Sequence, residues 1–365
     1  MRFTRFGTIG AVAIAASVLL SSCAANEGGG SSTDEGSSES TISGTFAGAG
    51  ASSQGSAQEA WVAAFQNANA DVTIDYDPSG SGAGRESFIA GGTVFAGSDS
   101  VLSDDELAGT FESCAPDTAA IDLPVYISPI AVIFNVEGVD ELKLDAATLA
   151  SIFKGDITTW NDAAITALNP DAALPAAPIT AVHRSDDSGT TKNFADYLGK
   201  VAPEVWDAEA EDAFPYSGGE AAQGTSGVVD AVTNGTNTIG YADASKAGDL
   251  GVAAIKVGEE FVDYTAEAAA LVVDASPLVE GRADNDIAIK LDRTTTEAGA
   301  YPLVLVSYII ACEEYADAAD AEFVKAYVGY IASEEGQAEA ASAAGAAPIS
   351  AELSAKVAAA IETIK

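Results

Sequence analysis

Arg184-Ser185-Asp186-Asp187-Ser188-Gly189-Thr190-Thr191 follows a short β-type run, Ile179–Val182, which ends at His183. It precedes a helical pattern in which Phe194, Tyr197 and Leu198 recur at i, i+3 and i+4. The order is a strand, a turn of glycine and hydroxyl residues, and a helix start. It occurs twice more, at Gly48-Ala49-Gly50-Ala51-Ser52-Ser53 and at Ser79-Gly80-Ser81-Gly82-Ala83-Gly84. After the first, Ser56 with Glu59 reads as a capping box opening a helix with the apolar stripe Ala57, Trp61, Ala64, Phe65 and Ala68. Before the second, Val72, Ile74 and Tyr76 alternate as a half-buried strand. From Asp317 onward the chain is helical, alanine-rich and acidic on its outer face. Short β-type runs alternating with amphipathic helices make the fold class α/β.

A helix N-terminus presents unpaired N–H groups and a partial positive charge, so each of the three turns is a candidate anion site. Any one of them is also an ordinary cap. Three in one chain, one carrying Arg184, point to a site for an anion.

Composition narrows the alternatives. The 365 residues are 48% apolar, enough for two ordinary domains with real cores. The formal charge of −39, from 16 basic and 55 acidic side chains, excludes nucleic acid as a partner, since backbone phosphates demand clustered Lys and Arg. His183 is the only histidine, which excludes a multi-histidine zinc site, and no serine stands in a nucleophile elbow. There is no phosphate-cradling loop ending in Gly-Lys-Ser/Thr. Asp75 to Glu86 fits a calcium-loop spacing on paper, but a strand precedes it and Gly82 occupies the usual apolar position. Lys154, Lys192 and Arg85 read as surface charges. The expectation is a binder without catalytic residue, metal or cofactor.

The N-terminus reads as a leader. Arg2 and Arg5 precede the apolar run Gly7–Leu20, which is too short to span a bilayer. Leu20-Ser21-Ser22-Cys23 looks like a lipobox, so residues 1–22 are expected to be removed and Cys23 lipidated. Residues 23–43 then form a lipidated end and a flexible Gly/Ser/acid tether. Export places Cys114 and Cys312 in an oxidising compartment, where a disulfide is the expectation and two separate buried thiols the alternative.

One longer stretch is more specific. Ile152-Phe153-Lys154-Gly155-Asp156-Ile157-Thr158-Thr159-Trp160-Asn161-Asp162 leads to Leu168-Asn169-Pro170, and then to the Arg184–Thr191 loop. With the Gly-Ala-Gly-Ala start and Gly97-Ser98-Asp99-Ser100-Val101-Leu102-Ser103, this resembles the phosphate-binding proteins of Pst ABC transporters, from about Gly44 to the C-terminus.

The resemblance implies a two-lobed periplasmic-binding-protein type II fold. Lobe I would hold residues 44–122 and 305–365, lobe II residues 123–304, with crossing strands near Leu123–Val136 and Tyr301–Cys312. It implies a phosphate site of Ser52, Ser53, Ser81, Asp99, Arg184, Ser188, Gly189 and Thr190, with Asp186 fixing the guanidinium. The usual pair after Gly-Ala-Gly-Ala is Thr-Phe, and Ser52-Ser53 departs from it by losing the aromatic wall. The antiparallel crossing strands would put Cys114 and Cys312 on one lobe, where a bridge braces the hinge. The implied partners are inorganic phosphate, the membrane permease subunits of an ABC importer, and the membrane itself through Cys23. The implied state is a monomer on the outer face of the cytoplasmic membrane. Another oxyanion such as sulfate, a secreted phosphatase, and a sensor without transport are the rival readings.

Overall fold

The computed structural model describes residues 42–365. The leader, Cys23 and all of the tether before Ile42 lie outside the described residues.

One curled sheet organises the chain. Strand Gly44–Gly50 lies between Val72–Asp77 and Phe95–Ser98, parallel to both. Strand Phe95–Ser98 then runs antiparallel to Val304–Cys312, which pairs antiparallel with Ala120–Asn135. Beyond that pair come Thr238–Asp243, Thr180–Arg184 and Glu220–Ala222. The parallel strands at each end read as separate α/β lobes, and the antiparallel pair in the middle belongs to both.

The two crossing strands are buried along almost their whole length, as their β-branched sequences require. They pair from Val304 opposite Pro129 to Cys312 opposite Ala120, with a break in register between Ser307 and Tyr308. Pro124 stands opposite Tyr308 at that break, where a residue without an N–H costs no ladder bond. Such a bulge bends its strand and re-aims a side chain.

The C-terminal helices return to the first lobe. Phe46 of the first strand stacks on Phe323 of helix Ala318–Ile331 with ring centroids 3.9 Å apart, and Trp61 Nε1 donates to Gly336 O at 2.6 Å. A disulfide joins Cys114 to Cys312, 198 residues apart, where Cys114 bridges Tyr315 just beyond the end of the second crossing strand.

The capping box expected at Ser56 is not formed. A short 3-10 turn, Ser52–Gln54, runs straight into helix Gly55–Ala68, so Ser56 lies inside the first turn and Gln54 occupies the cap position without a side-chain cap. The reason is tertiary: Ala51 N–H is bound by Gly97 O, and the hydroxyls of Ser52 and Ser53 are committed to distant partners. Trp61 and Phe65 of the expected stripe are buried, whereas Ala68 is exposed.

Candidate functional site

The three strand–turn–helix units converge. From the first come Ser52 and Ser53, from the second Ser81, the first residue of helix Ser81–Ile89, and from the third Arg184 and Ser188–Thr190 at the start of helix Gly189–Val201. Asp99 follows the end of strand Phe95–Ser98. All of these are buried except Ser52, which is half-buried. The packing is close enough to exclude side chains: a Cβ on Gly189 would fall 2.7 Å from Asp99 Cβ and 2.8 Å from Ser81 Oγ. Gly80, at φ 110°, would place one 2.6 Å from Asp186 Oδ2.

Three serines share one role. Ser52 Oγ accepts Thr225 N–H at 3.0 Å, Ser81 Oγ accepts Asp99 N–H at 3.1 Å, and Ser188 Oγ accepts Thr191 N–H at 3.2 Å. Each hydroxyl oxygen is thus loaded by a backbone donor, which at Ser81 and Ser188 leaves the hydroxyl proton to give, while Ser52 Oγ also shares a 3.0 Å bond with Thr225 Oγ1. The surroundings are rich in donors, as a dehydrated anion requires.

Asp99 is surrounded by donors too. Oδ1 receives Ser53 Oγ and Ser307 Oγ, each at 2.6 Å, and Oδ2 receives Thr190 Oγ1 at 2.9 Å. Burial pushes its carboxyl above the ordinary value, against the pull of these hydroxyls and the Arg184 charge. Asn193 Nδ2 holds the Asp99 carbonyl at 2.8 Å and the Gly189 carbonyl at 2.9 Å, tying strand end to helix start.

Arg184 is gripped from one edge. Its Nε donates to Asp186 Oδ1 at 2.7 Å and its Nη2 to Asp186 Oδ2, a fork that leaves Nη1 without a hydrogen bond among the described residues. Burial alone would raise Asp186, but the Arg184 bond and charge, with Gly224 N–H, outweigh it and hold the carboxyl below its ordinary value. The pair is a rigid, net-neutral ion pair that leaves one edge of the guanidinium spare.

The family described as PBP superfamily domain matches residues 35–335. Phosphate-binding protein PstS 3 of Mycobacterium tuberculosis is 36% identical over 339 residues, 90% of each chain. PstS 2 of the same organism is 34% identical over 375 residues and the full length of both. The chain belongs to the PstS phosphate-binding protein family. Solved structures agree on the fold. A high affinity periplasmic phosphate-binding protein (PfluDING) bound with phosphate superposes with TM-score 0.70 at 23% identity, over 87% of this chain and 93% of its own. A phosphate-binding protein from Stenotrophomonas maltophilia gives 0.63 at 18%, over 87% and 94%.

Within this PstS fold, one charge read from the sequence as a surface residue, Arg85, needs correction, while Lys154 and Lys192 keep partial exposure. Arg85 is buried, donating to Glu106 at 2.8 Å, Asp212 at 2.5 Å and Ser98 Oγ at 3.1 Å. It sits in the first turns of a helix that packs on the cleft, and only carboxylates from distant segments make that burial tolerable. Lys154 is half-buried, bound to Val205 O at 2.9 Å and Asp207 at 3.0 Å. Lys192 is half-buried on the helix that starts in the site. His183 stacks on Phe214 at 4.0 Å, with its ring nitrogens against Arg184 O and Gly218 O, a structural position. The stretch Asp75 to Glu86 runs from a strand into a helix, and no cluster of metal-ligating residues occurs among the described residues.

Sequence reasoning missed Ser307, Gln54, Asn193 and Thr225. Ser307 carried a signal: it is the one aliphatic hydroxyl in the otherwise apolar and aromatic run Val304–Cys312. Gln54, Asn193 and Thr225 carried none, because their partners are distant in sequence.

Proposed function

We propose that this chain captures inorganic phosphate between its lobes and delivers it to the membrane subunits of an ABC importer, making and breaking no bond. The relatives' names say phosphate, and the observation that carries the reading here is Asp99. A carboxylate has roughly four acceptor positions, and three are filled by hydroxyl donors. The fourth can accept only from a ligand that brings a proton. Phosphate near neutral pH has one; sulfate does not, and would set two charges against each other in a buried site.

In this reading Ser52, Ser81 and Ser188 supply neutral donors, and the free edge of Arg184 supplies the charge. Ser53, Gly189 and Thr190 donate through their backbone N–H groups, because the hydroxyl protons of Ser53 and Thr190 go to Asp99. Residues 44–122 with 305–365 close against 123–304 about the two crossing strands. Cys23 carries the lipid that holds the protein outside the cytoplasmic membrane, and the protein acts as a monomer. Replacement of Cys23 by alanine would release it to the medium, and retention in the membrane fraction would refute the anchor.

Calorimetric titration of anion-stripped protein with phosphate and then sulfate tests the core of the proposal. Tight one-to-one phosphate binding with no sulfate response supports it. Equal responses, or none, refute it.

A further inference from the structure

Asp212 joins the two lobes from behind the anion-binding turns. It lies in the irregular segment between helix Gly189–Val201 and strand Glu220–Ala222. Its carboxylate accepts Arg85 Nη2 at 2.5 Å and Ser100 Oγ at 2.9 Å, both from the segment before the first crossing strand. Its backbone carbonyl accepts Ser188 N–H at 2.9 Å, on the residue that caps the helix starting in the site.

We infer that Asp212 is a closure latch: its pair with Arg85 and Ser100 forms as the lobes close and sets how long phosphate stays bound. The inference rests on the phosphate reading above. The way Arg85 is held makes the latch reversible. Glu106 and Ser98, on Arg85's own lobe, keep the guanidinium at 2.8 and 3.1 Å. The outward pull of two carboxylates exceeds the effect of burial, so Arg85 stays firmly charged. When the lobes part, Arg85 therefore keeps an ionic partner, and Asp212, whose side chain is 12% exposed with the pair formed, returns to water. No buried charge is stranded, which is the usual obstacle to breaking such a pair.

The pair is short-ranged and formed after encounter, so it acts on release more than on capture. The carbonyl of the same residue holds Ser188, so the latch and the anion-binding helix start move as one piece.

The test is Asp212→Asn, with phosphate association and dissociation followed separately by stopped-flow. Dissociation is expected to speed up about ten-fold while association stays within about two-fold. Loss of fold stability alone would not divide the two rates in this way. Release at the wild-type rate overturns the latch. Spin labels at the exposed Thr73 and Asn234 give a reading that needs no ligand. The variant should show a longer, broader distance distribution than the wild type. Identical distributions overturn the latch even if phosphate proves not to be the ligand. A variant that shows the shift while the wild type binds no phosphate would refute the functional reading and leave the latch standing.

Discussion

Ser307 Oγ donates to Asp99 Oδ1 at 2.6 Å across 208 residues of sequence, and the direction of that bond is set from behind. Gln54 Nε2 donates to the same hydroxyl at 2.7 Å. Gln58 Nε2 donates to Gln54 Oε1 at 2.8 Å, and Tyr327 OH to Gln58 Oε1 at 2.8 Å. A hydroxyl already accepting from an amide gives its proton forward, so Asp99 is presented as an acceptor.

Asp99→Asn replaces that acceptor with a group that can also donate. The ratio of phosphate to sulfate affinity, measured by calorimetry, should fall by about a hundred-fold or more. A ratio unchanged from wild type would remove Asp99 from the specificity argument.

The Asp186 fork holds Arg184 by one edge. Arg184→Lys keeps the charge and loses the planar fork, and should weaken phosphate about 10–100-fold. Asp186→Asn should give a smaller loss, because the guanidinium remains but is less firmly aimed. Phosphate binding within two-fold of wild type in both variants would contradict the assignment.

The chain's charge of −39 repels an incoming anion. Salt screens this beyond about 8 Å at physiological strength. Phosphate association rates should therefore rise with ionic strength in rapid-mixing experiments. A steep fall would mean that a local positive field outweighs the net charge.

Asp243 is fully buried on the strand beside the first crossing strand, taking Tyr126 OH at 3.1 Å and Ser245 N–H at 3.0 Å, with Oδ2 unpartnered. Burial raises its carboxyl from 3.8 to about 6, against its hydrogen bonds. With the folded value raised, its contribution favours the native state fully below the unfolded value and is lost as pH climbs through about 6. The cost in the native state at neutral pH is about 3 kcal/mol. Asp243→Asn should therefore gain stability relative to wild type between pH 4 and pH 6 in denaturant titrations. A stability difference that does not vary over that window would show that Asp243 does not titrate there.

The Cys114–Cys312 bridge closes a loop of 198 residues. Chain-entropy arguments assign such a loop about 5 kcal/mol, with engineered cases giving less. The double alanine variant should unfold at markedly lower denaturant concentration, and an unchanged midpoint would deny the bridge a role in stability.

What could be read from the sequence was local. The Arg184–Thr191 loop, the Ser81 helix start and the apolar crossing strands carry their signals in adjacent residues, whereas the lobe pattern came only from the family resemblance. The network around Asp99 did not, since Ser307 and Gln54 reach it only after the chain has crossed between lobes and returned. Arg85 was misread for the same reason: Glu106 and Asp212, which make its burial possible, are 21 and 127 residues away. At Ser56 the local capping rule lost to the tertiary demands on Ser52 and Ser53.

The central strand pair also governs how the molecule can move. Two strands paired from Val304–Pro129 to Cys312–Ala120, with one bulge between Ser307 and Tyr308, resist sliding along each other, and the disulfide seals one end of the pair. What remains soft is flexing of the ribbon, in effect a single degree of freedom. In the phosphate-capture reading proposed above, the state of the site would be written into one angle between the two lobes, so a membrane partner that touches both could sense whether cargo is aboard from the separation of two distant surfaces, without reaching the cargo itself.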